Sequence, residues 1–277
     1  MSNLRSFVDT HCHINILAKN NFDVLLTEKE LHSAQTIIKK AAEYNVMTLV
    51  NVGTSIIESK NCIEIAKKYA DNYSVIGIHP NDISSNWESD ITALKALLPQ
   101  KTSGRIVGIG ECGFDFHYPN YNKKKQENVF RAQIELALEN NLALVVHSRD
   151  ARDETYYLLE EYANDLNNVV LHCFSYDKSL AKQATDWGFL LGIGGTVTYP
   201  GNVELREIVK EVGLKNIVLE SDAPFLPPQI IRGKKNHPRF IATVAEFIAE
   251  LTNSSLSEVA TQTTNNAHSL FTLNQYK

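Results

Sequence analysis

Metal-binding residue types recur at the ends of five short apolar runs in this chain of 277 residues. The first run, VDTHCH, carries Asp9, His11 and His13. The other four runs are IGIGE, LVVH, VVLH and IVLESD, and they end at Glu111, His147, His172 and Asp222. Histidine nitrogens and carboxylate oxygens are common ligands of divalent metals. Only a fold that gathers the ends of separate strands at one place could use these side chains as a set.

The individual residues suggest different roles within such a set. His11 and His13 stand two apart, so on an extended strand both side chains point to one face, and Cys12 points to the other. Glu111 has two oxygens that accept independently, so it could bridge two cations. Asp222 could bind one metal and accept a proton from a water molecule. We therefore expect two divalent ions, Zn²⁺, Mg²⁺ or Mn²⁺, with Glu111 and Asp222 as catalytic residues.

Structural interpretations of the same residues remain open. A lone histidine at a strand end is more often a satisfied core residue than a ligand, and only the whole set favours metal. Glu220, on the same face as Asp222, is better interpreted as a hydrogen-bonding partner than as a ligand. Cys112 and Cys173 follow ligand candidates, so alternation predicts that these thiols face the helix layer as small buried hydrophobes.

Residues for substrate binding are predicted near the same strand ends. His79 ends the run GIHP, where it could contact substrate or be structural. Arg149 could hold a phosphate, or it could pair with Asp150 at the start of a helix. Phe114, Phe116 and Tyr118 could stack on a base or simply pack a loop. The Pro-rich segment 223–238 supplies either a basic patch or a solvated charge run, consisting of Arg232, Lys234 and Lys235.

Apolar runs typical of strands alternate with amphipathic runs typical of helices along the whole chain. We predict strands at 7–11, 46–52, 73–78, 105–111, 142–147, 169–174, 189–193 and 217–222. We predict helices at 30–44, 55–69, 88–98, 123–140, 150–161, 179–185 and 203–212, and two more at 238–251 and 257–270. This alternation predicts an α/β fold, a (β/α)8 TIM barrel, in one domain spanning 1–277. A doubly wound sheet is the rival, but it would usually have a Gly-rich loop where this chain has THCHIN.

Composition limits the class of protein. Hydrophobic residues make up 43% and charged residues 21%, as in soluble globular proteins. The formal net charge is −5, so any surface that binds phosphates must be local. No apolar run approaches the length of a membrane span, nothing resembles a signal peptide, and the four cysteines form no CxxC pair. We expect a cytoplasmic protein without a membrane partner.

The ordered motifs DTHCHIN, GIHP, GECGFDF, VVHSRDA, LHCFS, ESDAPFLPP, RGKKNHP and TTNNAHSLF resemble those of the TatD-type metal-dependent deoxyribonucleases, from about residue 8 to 271. The resemblance implies an amidohydrolase-type TIM barrel that binds divalent metals. It also implies one metal on His11, His13 and Asp222, and a second on His147 and His172, with Glu111 shared. Two motifs depart from the family pattern. An asparagine, Asn15, stands where an aspartate is common, and FDFH stands where LDYY is frequent.

Residues and resemblance together predict a metal-dependent deoxyribonuclease, a 3′–5′ exonuclease whose partner is DNA, single-stranded or at 3′ ends. Two cations in such a site can stabilise the attacking and the leaving oxygen of an in-line displacement. Arg149 and the basic segment would hold flanking phosphates. Two alternatives remain. One is hydrolysis of another ester or amide, such as an aminoacyl-tRNA bond. The other is a non-catalytic metal-dependent binding protein.

Overall fold

The computed structural model describes residues 6–276. In this part of the chain, eight parallel strands form one sheet in which each strand pairs with the next in sequence. The strands are β1 (Phe7–Cys12), β2 (Val46–Val52), β3 (Asn72–Ile76), β4 (Ile106–Asp115), β5 (Ala143–Arg149), β6 (Val169–Leu171), β7 (Leu190–Ile193) and β8 (Ile217–Leu219). The predicted order of strands is therefore confirmed.

The sheet curves until its two edge strands meet. The Thr10 hydroxyl on β1 donates to the carbonyl of Leu219 on β8 at 2.9 Å. The backbone N–H of Asp222 donates to the carbonyl of His11, also at 2.9 Å. These bonds join β1 to β8, so the fold is the predicted (β/α)8 barrel and the doubly wound alternative is wrong.

Helices follow the strands and form the outer layer. They are α1 (Ile14–Lys19), α2 (Glu28–Ala42), α3 (Ile56–Lys68), α4 (Trp87–Lys95), α5 (Lys123–Asn140), α6 (Arg152–Tyr162), α7 (Lys178–Asp186), α8 (Val203–Val212), α9 (Ile241–Thr252) and α10 (Leu256–Leu270). Helix α1 was not predicted, and α9 begins after a 3₁₀ turn at Pro238–Phe240. The start of α2 follows from its sequence, since Thr27 and Glu30 form a capping box. No helix within residues 6–276 is both long and apolar enough to cross a membrane.

Two apolar layers hold the barrel together. The interior is lined by small branched side chains, among them Val50, Val107 and Val218, and Phe271 beyond α10 packs with them. The outer layer lies between sheet and helices and contains Cys12 and Cys112, as the alternation predicted. The prediction for Cys173 is wrong. Because β6 ends at Leu171, strand alternation does not reach Cys173, which has a φ of +47° and is partly exposed.

The strands end at different places from those predicted. β4 continues four residues past Glu111, and β5 continues past His147, because the β4–β5 ladder persists to Asp115 and Arg149. β6 and β8 are shorter than predicted, so His172 and Asp222 lie just beyond them. All of these positions are still at the carboxyl end of the barrel, where the side chains from different strands can meet.

Candidate metal centre

The six residues predicted as metal ligands lie together at the carboxyl end of the barrel, and they come from five strands or the turns that follow them. All but His147, which is partly exposed, are buried. A buried cluster of imidazoles and carboxylates is costly unless the polar groups are paired with each other or with a cation. The members of the cluster are His11, His13, Glu111, His147, His172 and Asp222.

Glu111 lies at the centre of this cluster, and its two oxygens face different histidines. Oε2 is 3.3 Å from Nε2 of His11 and 3.9 Å from Nε2 of His13. Oε1 is 2.7 Å from Nδ1 of His147 and 3.7 Å from Nε2 of His172. The carboxylate therefore lies between two groups of ligand atoms, that of His11 and His13 on its Oε2 side and that of His147 on its Oε1 side. Nε2 of His172 lies near both groups, since it is also 3.9 Å from Oδ1 of Asp222.

The first group consists of His11, His13 and Asp222. Nε2 of His13 is 3.3 Å from Nε2 of His11 and 3.4 Å from Oδ1 of Asp222, and the remaining separation, His11 to Asp222, is 3.9 Å. Ligand atoms at about 2.1 Å from a tetrahedral metal lie about 3.4 Å from one another. The donors in this group therefore fit a divalent ion.

Hydrogen bonds on the far side of the rings orient the histidines for ligation. Nδ1 of His13 is 2.8 Å from the carbonyl of Val52, an acceptor, so this nitrogen carries the proton. Nδ1 of His172 makes an ion-pair contact with Oε1 of Glu220 at 3.0 Å, and this contact also favours a proton on Nδ1. In the neutral form of each ring, the lone pair is then on Nε2 and faces the cluster, as a metal ligand requires. Glu220 has the hydrogen-bonding place that the sequence favoured.

Asp115 orients the ring of His147 in the same way, a role that the sequence did not predict. Its Oδ2 is 3.1 Å from Nε2 of His147 and accepts from Nδ2 of Asn81 at 2.9 Å, and its Oδ1 accepts from the backbone of His117. Burial alone would raise the pKa of Asp115, but these hydrogen bonds lower it to about 2. Asp115 stands four residues after Glu111 on one strand, so an even offset places both on one face. The predicted strand ends at Glu111, so Asp115 lies outside it and its shared face with Glu111 was not predicted.

Charges within the cluster are coupled. Burial disfavours a charge on His172, but Glu220 and Glu111 outweigh this and raise its pKa to about 10. Burial also disfavours charge on Glu111 and Asp222, but neighbouring histidines hold the pKa of each carboxyl below its usual value. Without metal, the centre therefore combines a protonated His172 with ionised carboxylates.

Asp9, the remaining acidic residue of the first motif, supports the turn after β8. Its carboxyl accepts from the backbone N–H of Ser221 at 2.9 Å and from the Ser221 hydroxyl at 2.6 Å. Burial raises the pKa of Asp9 to about 8. Through Ser221, Asp9 fixes the backbone immediately before Asp222.

His79 lies beside His147, on the side of Glu111 that carries Oε1. Its Nε2 is 3.8 Å from Oε1 of Glu111, and its ring centroid is 4.4 Å from that of His147. In contrast to Nδ1 of His13, its Nδ1 accepts a hydrogen bond, from the backbone N–H of Asn81 at 3.1 Å. Burial and the nearby His147 lower the pKa of His79 to about 3. The ring is therefore neutral with its proton on Nε2, the atom that faces Oε1 of Glu111.

The predicted basic residues are exposed and lie outside the buried cluster. The Arg149 guanidinium lies 6.0 Å from the ring of Tyr118. The alternative pairing of Arg149 with Asp150 is wrong, since the Asp150 carboxylate contacts Nδ1 of His117 at 2.9 Å and α6 begins only at Arg152.

The segment 223–238 runs across the turns that follow β7 and β8. Arg232 stacks over the ring of Tyr199 at 4.0 Å. Lys235 donates to the side-chain oxygen of Asn20 at 2.5 Å, and Lys234 is exposed. Two of the three basic side chains therefore have fixed neighbours at the rim.

Two of the aromatic residues after Glu111 cannot stack on a base. Phe114 is buried against Phe130, and Phe116 is stacked on Tyr121 with centroids 4.4 Å apart. For these two residues the packing interpretation is correct. Tyr118 is 55% exposed and remains available.

Comparison with known proteins places this arrangement in context. The family model described as TatD related DNase matches residues 8–272. A relative from Bacillus subtilis, named as the uncharacterized metal-dependent hydrolase YabD, is 35% identical over 96% of this chain and 99% of its own length. The 3′–5′ ssDNA/RNA exonuclease TatD of Salmonella typhimurium is 30% identical over 85% of this chain and 91% of its own. The solved structure of YjjV, a TatD homologue from Escherichia coli K12, has 25% identity and a TM-score of 0.86, covering 96% of this chain and 98% of that one.

Proposed function

The chain belongs to the TatD-related DNase family of metal-dependent hydrolases, and on that basis we propose that it hydrolyses phosphodiester bonds in DNA as a 3′–5′ exonuclease with two divalent metal ions. The observation that carries the proposal is the position of Glu111, whose two oxygens face separate groups of ligand atoms. One carboxylate can then serve two ions at once. Two-metal sites are characteristic of enzymes that cleave phosphodiesters.

The residues that would hold the two ions are divided here as the resemblance to the family implies. His11, His13 and Asp222 would hold one ion. His147, through Nδ1, and His172, through Nε2, would hold the other, with Glu111 shared. Bound divalent ions would supply Lewis acidity towards the phosphate and lower the pKa of a water molecule. Adding Zn²⁺, Mg²⁺ or Mn²⁺ separately to metal-free protein shows which of these ions supports activity.

Asp222 is the residue best placed to accept the proton of the attacking water. Neighbouring histidines keep its carboxyl ionised at neutral pH, and its side chain, 12% exposed, is more accessible to water than those of His11 and His13. The water oxygen would attack phosphorus as one water proton passes to the Asp222 carboxylate, and the P–O3′ bond would break. The leaving 3′ oxygen would take a proton from solvent water and become the 3′ hydroxyl of the shortened strand. Asp222 would thus be both ligand and general base.

His79 would donate a hydrogen bond to the scissile phosphate. Its Nδ1 is occupied as an acceptor by the Asn81 N–H, so a neutral His79 offers N–H rather than a lone pair at Nε2. This supports a role in substrate binding over a role as a third ligand beside Glu111 and His147. A fixed donor aimed at a phosphoryl oxygen stabilises the charge that develops there.

DNA would be held outside the metal centre by Arg149, at the end of β5, and by three residues of the loop that follows β8, Arg232, Lys234 and Lys235. Arginine recognises phosphate through two parallel N–H donors, and lysine recognises it as a point charge. With this local set, a chain of net charge −5 could still bind a polyanion.

The test is digestion of 3′-end-labelled and 5′-end-labelled oligonucleotides by metal-free protein to which Mg²⁺, Mn²⁺ or Zn²⁺ is added back. Single-stranded DNA, duplex DNA and RNA of one sequence are compared. We expect early release of the 3′ label as a mononucleotide, loss of activity with a chelator, and recovery with metal. Glu111→Ala serves as the inactive control.

Other outcomes would identify other functions. Release of label from the 5′ end first would contradict the polarity. Cleavage of an aminoacyl ester without any cleavage of DNA or RNA would favour the alternative hydrolase. Metal-dependent binding of DNA with no product would favour a binding protein.

A further inference from the structure

An aromatic side chain lies at the edge of the metal centre with much of its ring in water. Phe225 is 42% exposed, and its ring centroid is 5.8 Å from that of His13, at an interplanar angle of 69°. The His13 side chain itself is only 2% exposed. Single exposed apolar residues are common on protein surfaces. Phe225 differs from these because its ring contacts a candidate metal ligand at the carboxyl end of the barrel.

The turn that carries Phe225 is fixed by hydrogen bonds. Its backbone N–H donates to the carbonyl of Asp222 at 2.7 Å. The buried Asn236 donates from its side chain to the carbonyl of Ser221 at 2.6 Å, and from its backbone to that of Pro224 at 3.0 Å. The backbone that carries the ring is therefore fixed, and the ring has only two side-chain torsions of its own. Placing a ligand on a rigid aromatic surface costs little conformational entropy.

We propose that Phe225 stacks on the base of one of the two nucleotides that flank the scissile phosphate; this inference rests on the proposed nuclease function. Every nucleobase has an aromatic face, so stacking would hold substrates of any sequence. A base inside a duplex has both faces covered by its neighbours, so Phe225 can reach only an unpaired or frayed end. The residue would thus select single strands at the reacting centre. The aromatic residues that follow Glu111 do not compete for this role where they are covered, as are Phe114 and Phe116.

The experiment is a double-mutant cycle between the protein and the substrate. Wild type, Phe225→Ala and Phe225→Tyr, each loaded with Mn²⁺, digest a single-stranded oligonucleotide and two versions that are abasic at one or the other flanking nucleotide. Ile230→Ala is the matched control, because Ile230 is a 78% exposed apolar residue on the same loop. Hydrolysis of bis-p-nitrophenyl phosphate measures the metal centre without any base.

We expect Phe225→Ala to lower kcat/KM for the intact strand by about tenfold to a hundredfold, since stacking of one base on an aromatic side chain has effects of this size. Phe225→Tyr and Ile230→Ala should stay within about twofold of wild type. With the base removed at the contacted nucleotide, wild type should fall to the level of Phe225→Ala, which should lose nothing further. The small phosphodiester should be cleaved equally by wild type and Phe225→Ala.

Equal losses for Phe225→Ala on the intact and both abasic strands, or no loss at all, would overturn the stacking role while leaving the nuclease function intact. Failure of the wild type to cleave any oligonucleotide would overturn the proposed function and this inference with it. A binding measurement then adds an independent readout. For this measurement, the Asp222→Asn variant binds a strand with 2-aminopurine at the contacted position without cleaving it. We expect the 2-aminopurine fluorescence to be quenched on binding to Asp222→Asn and not on binding to the double variant Asp222→Asn/Phe225→Ala.

Discussion

Glu111 and Asp222 have different positions in the cluster, and substitution should separate their roles. Glu111→Ala removes oxygens from both groups of ligand atoms, so we expect metal content to fall at both sites and activity to be abolished. Asp222→Asn keeps a ligand oxygen but cannot accept a proton, so it should retain much of its metal and lose about 10²-fold to 10⁴-fold in kcat. Elemental analysis and nuclease assays on the same preparations check both. Near-normal turnover in Asp222→Asn would mean that another group is the base.

Substitution of His79 tests whether its ring is a metal ligand or a hydrogen-bond donor to the phosphate. We expect His79→Ala to keep its full metal content and to lose about 10²-fold in kcat, the usual effect of removing one hydrogen-bond donor from a site of this kind. His79→Gln, which restores an N–H group, should recover part of the loss. Metal content and kcat are measured together. A loss of metal from His79→Ala would instead make the ring a ligand beside Glu111 and His147.

Ligation by His172 would make metal binding depend on pH. Its pKa of about 10 in the metal-free protein lies above the usual 6.5, so protonation of His172 stabilises the metal-free fold at low pH. That contribution is complete below about pH 6.5 and is lost as the pH rises towards 10. A metal at Nε2 must displace the proton, so metal affinity should increase with pH across the neutral range.

Calorimetric titration of Mn²⁺ into metal-free protein, in two buffers of different ionisation enthalpy, counts the protons released. His172→Asn should release about one proton fewer than wild type at pH 7. Equal proton release by the two proteins would mean that His172 is already neutral before metal binds.

Residue types were easier to predict than residue neighbours. The histidines and carboxylates of the cluster could be named from the sequence because strand ends of a barrel converge. Asp115 could not be found in this way, because its role depends on β4 continuing past Glu111. His79 could be placed near the substrate, but its protonation depends on a backbone N–H, that of Asn81, which the sequence does not position.

At the scale of elements, the close contact of β4 with β5 holds Glu111 against His147. Gly113 on β4 has a φ of +145°, and a Cβ there would lie 1.9 Å from the carbonyl of His147. Gly113→Ala should therefore destabilise the protein by at least about 2 kcal/mol and displace His147. Gly201→Ala is the control, because a Cβ at Gly201 meets nothing within 4 Å.

Urea unfolding with and without metal measures the effect of both substitutions. We expect the midpoint of Gly113→Ala to shift down in either condition and its metal-dependent gain in stability to shrink. An unfolding midpoint equal to that of Gly201→Ala would contradict the proposed importance of this close approach.

Element predictions succeeded where local pattern and tertiary packing agree. The periodicity of 123–140 predicts α5 with the bounds that the structure has. Helix α1, only six residues long, has too short a pattern to be recognised beside the HxH motif. β6 and β8 are shorter than their apolar runs because the chain turns there towards the centre, with left-handed backbone at Cys173 and Asp222.

At the scale of the whole molecule, an acidic chain must bind a polyanion through a small part of its surface. The net charge is −5, and exposed basic residues at the rim offset it only locally. Two of these have neighbours that fix their direction, since Arg232 stacks on Tyr199 and Lys235 bonds to Asn20. Replacing the segment's charges tests whether this patch, rather than the metals alone, holds the DNA.

We expect Arg232→Ala/Lys234→Ala/Lys235→Ala to raise KM for a DNA oligonucleotide and to reduce the slope of log KM against log salt by up to about two, because up to three fewer counterions are released on binding. Cleavage of bis-p-nitrophenyl phosphate should stay the same. The matched control is Lys39→Ala/Lys67→Ala/Lys210→Ala, which removes the same charge from the last turns of α2, α3 and α8, at the opposite end of the barrel. If the control lost as much affinity and salt dependence as the test variant, net charge alone would account for both. If neither variant differed from wild type, the segment would be a solvated charge run, and Arg149 together with the metal centre would have to hold the phosphates.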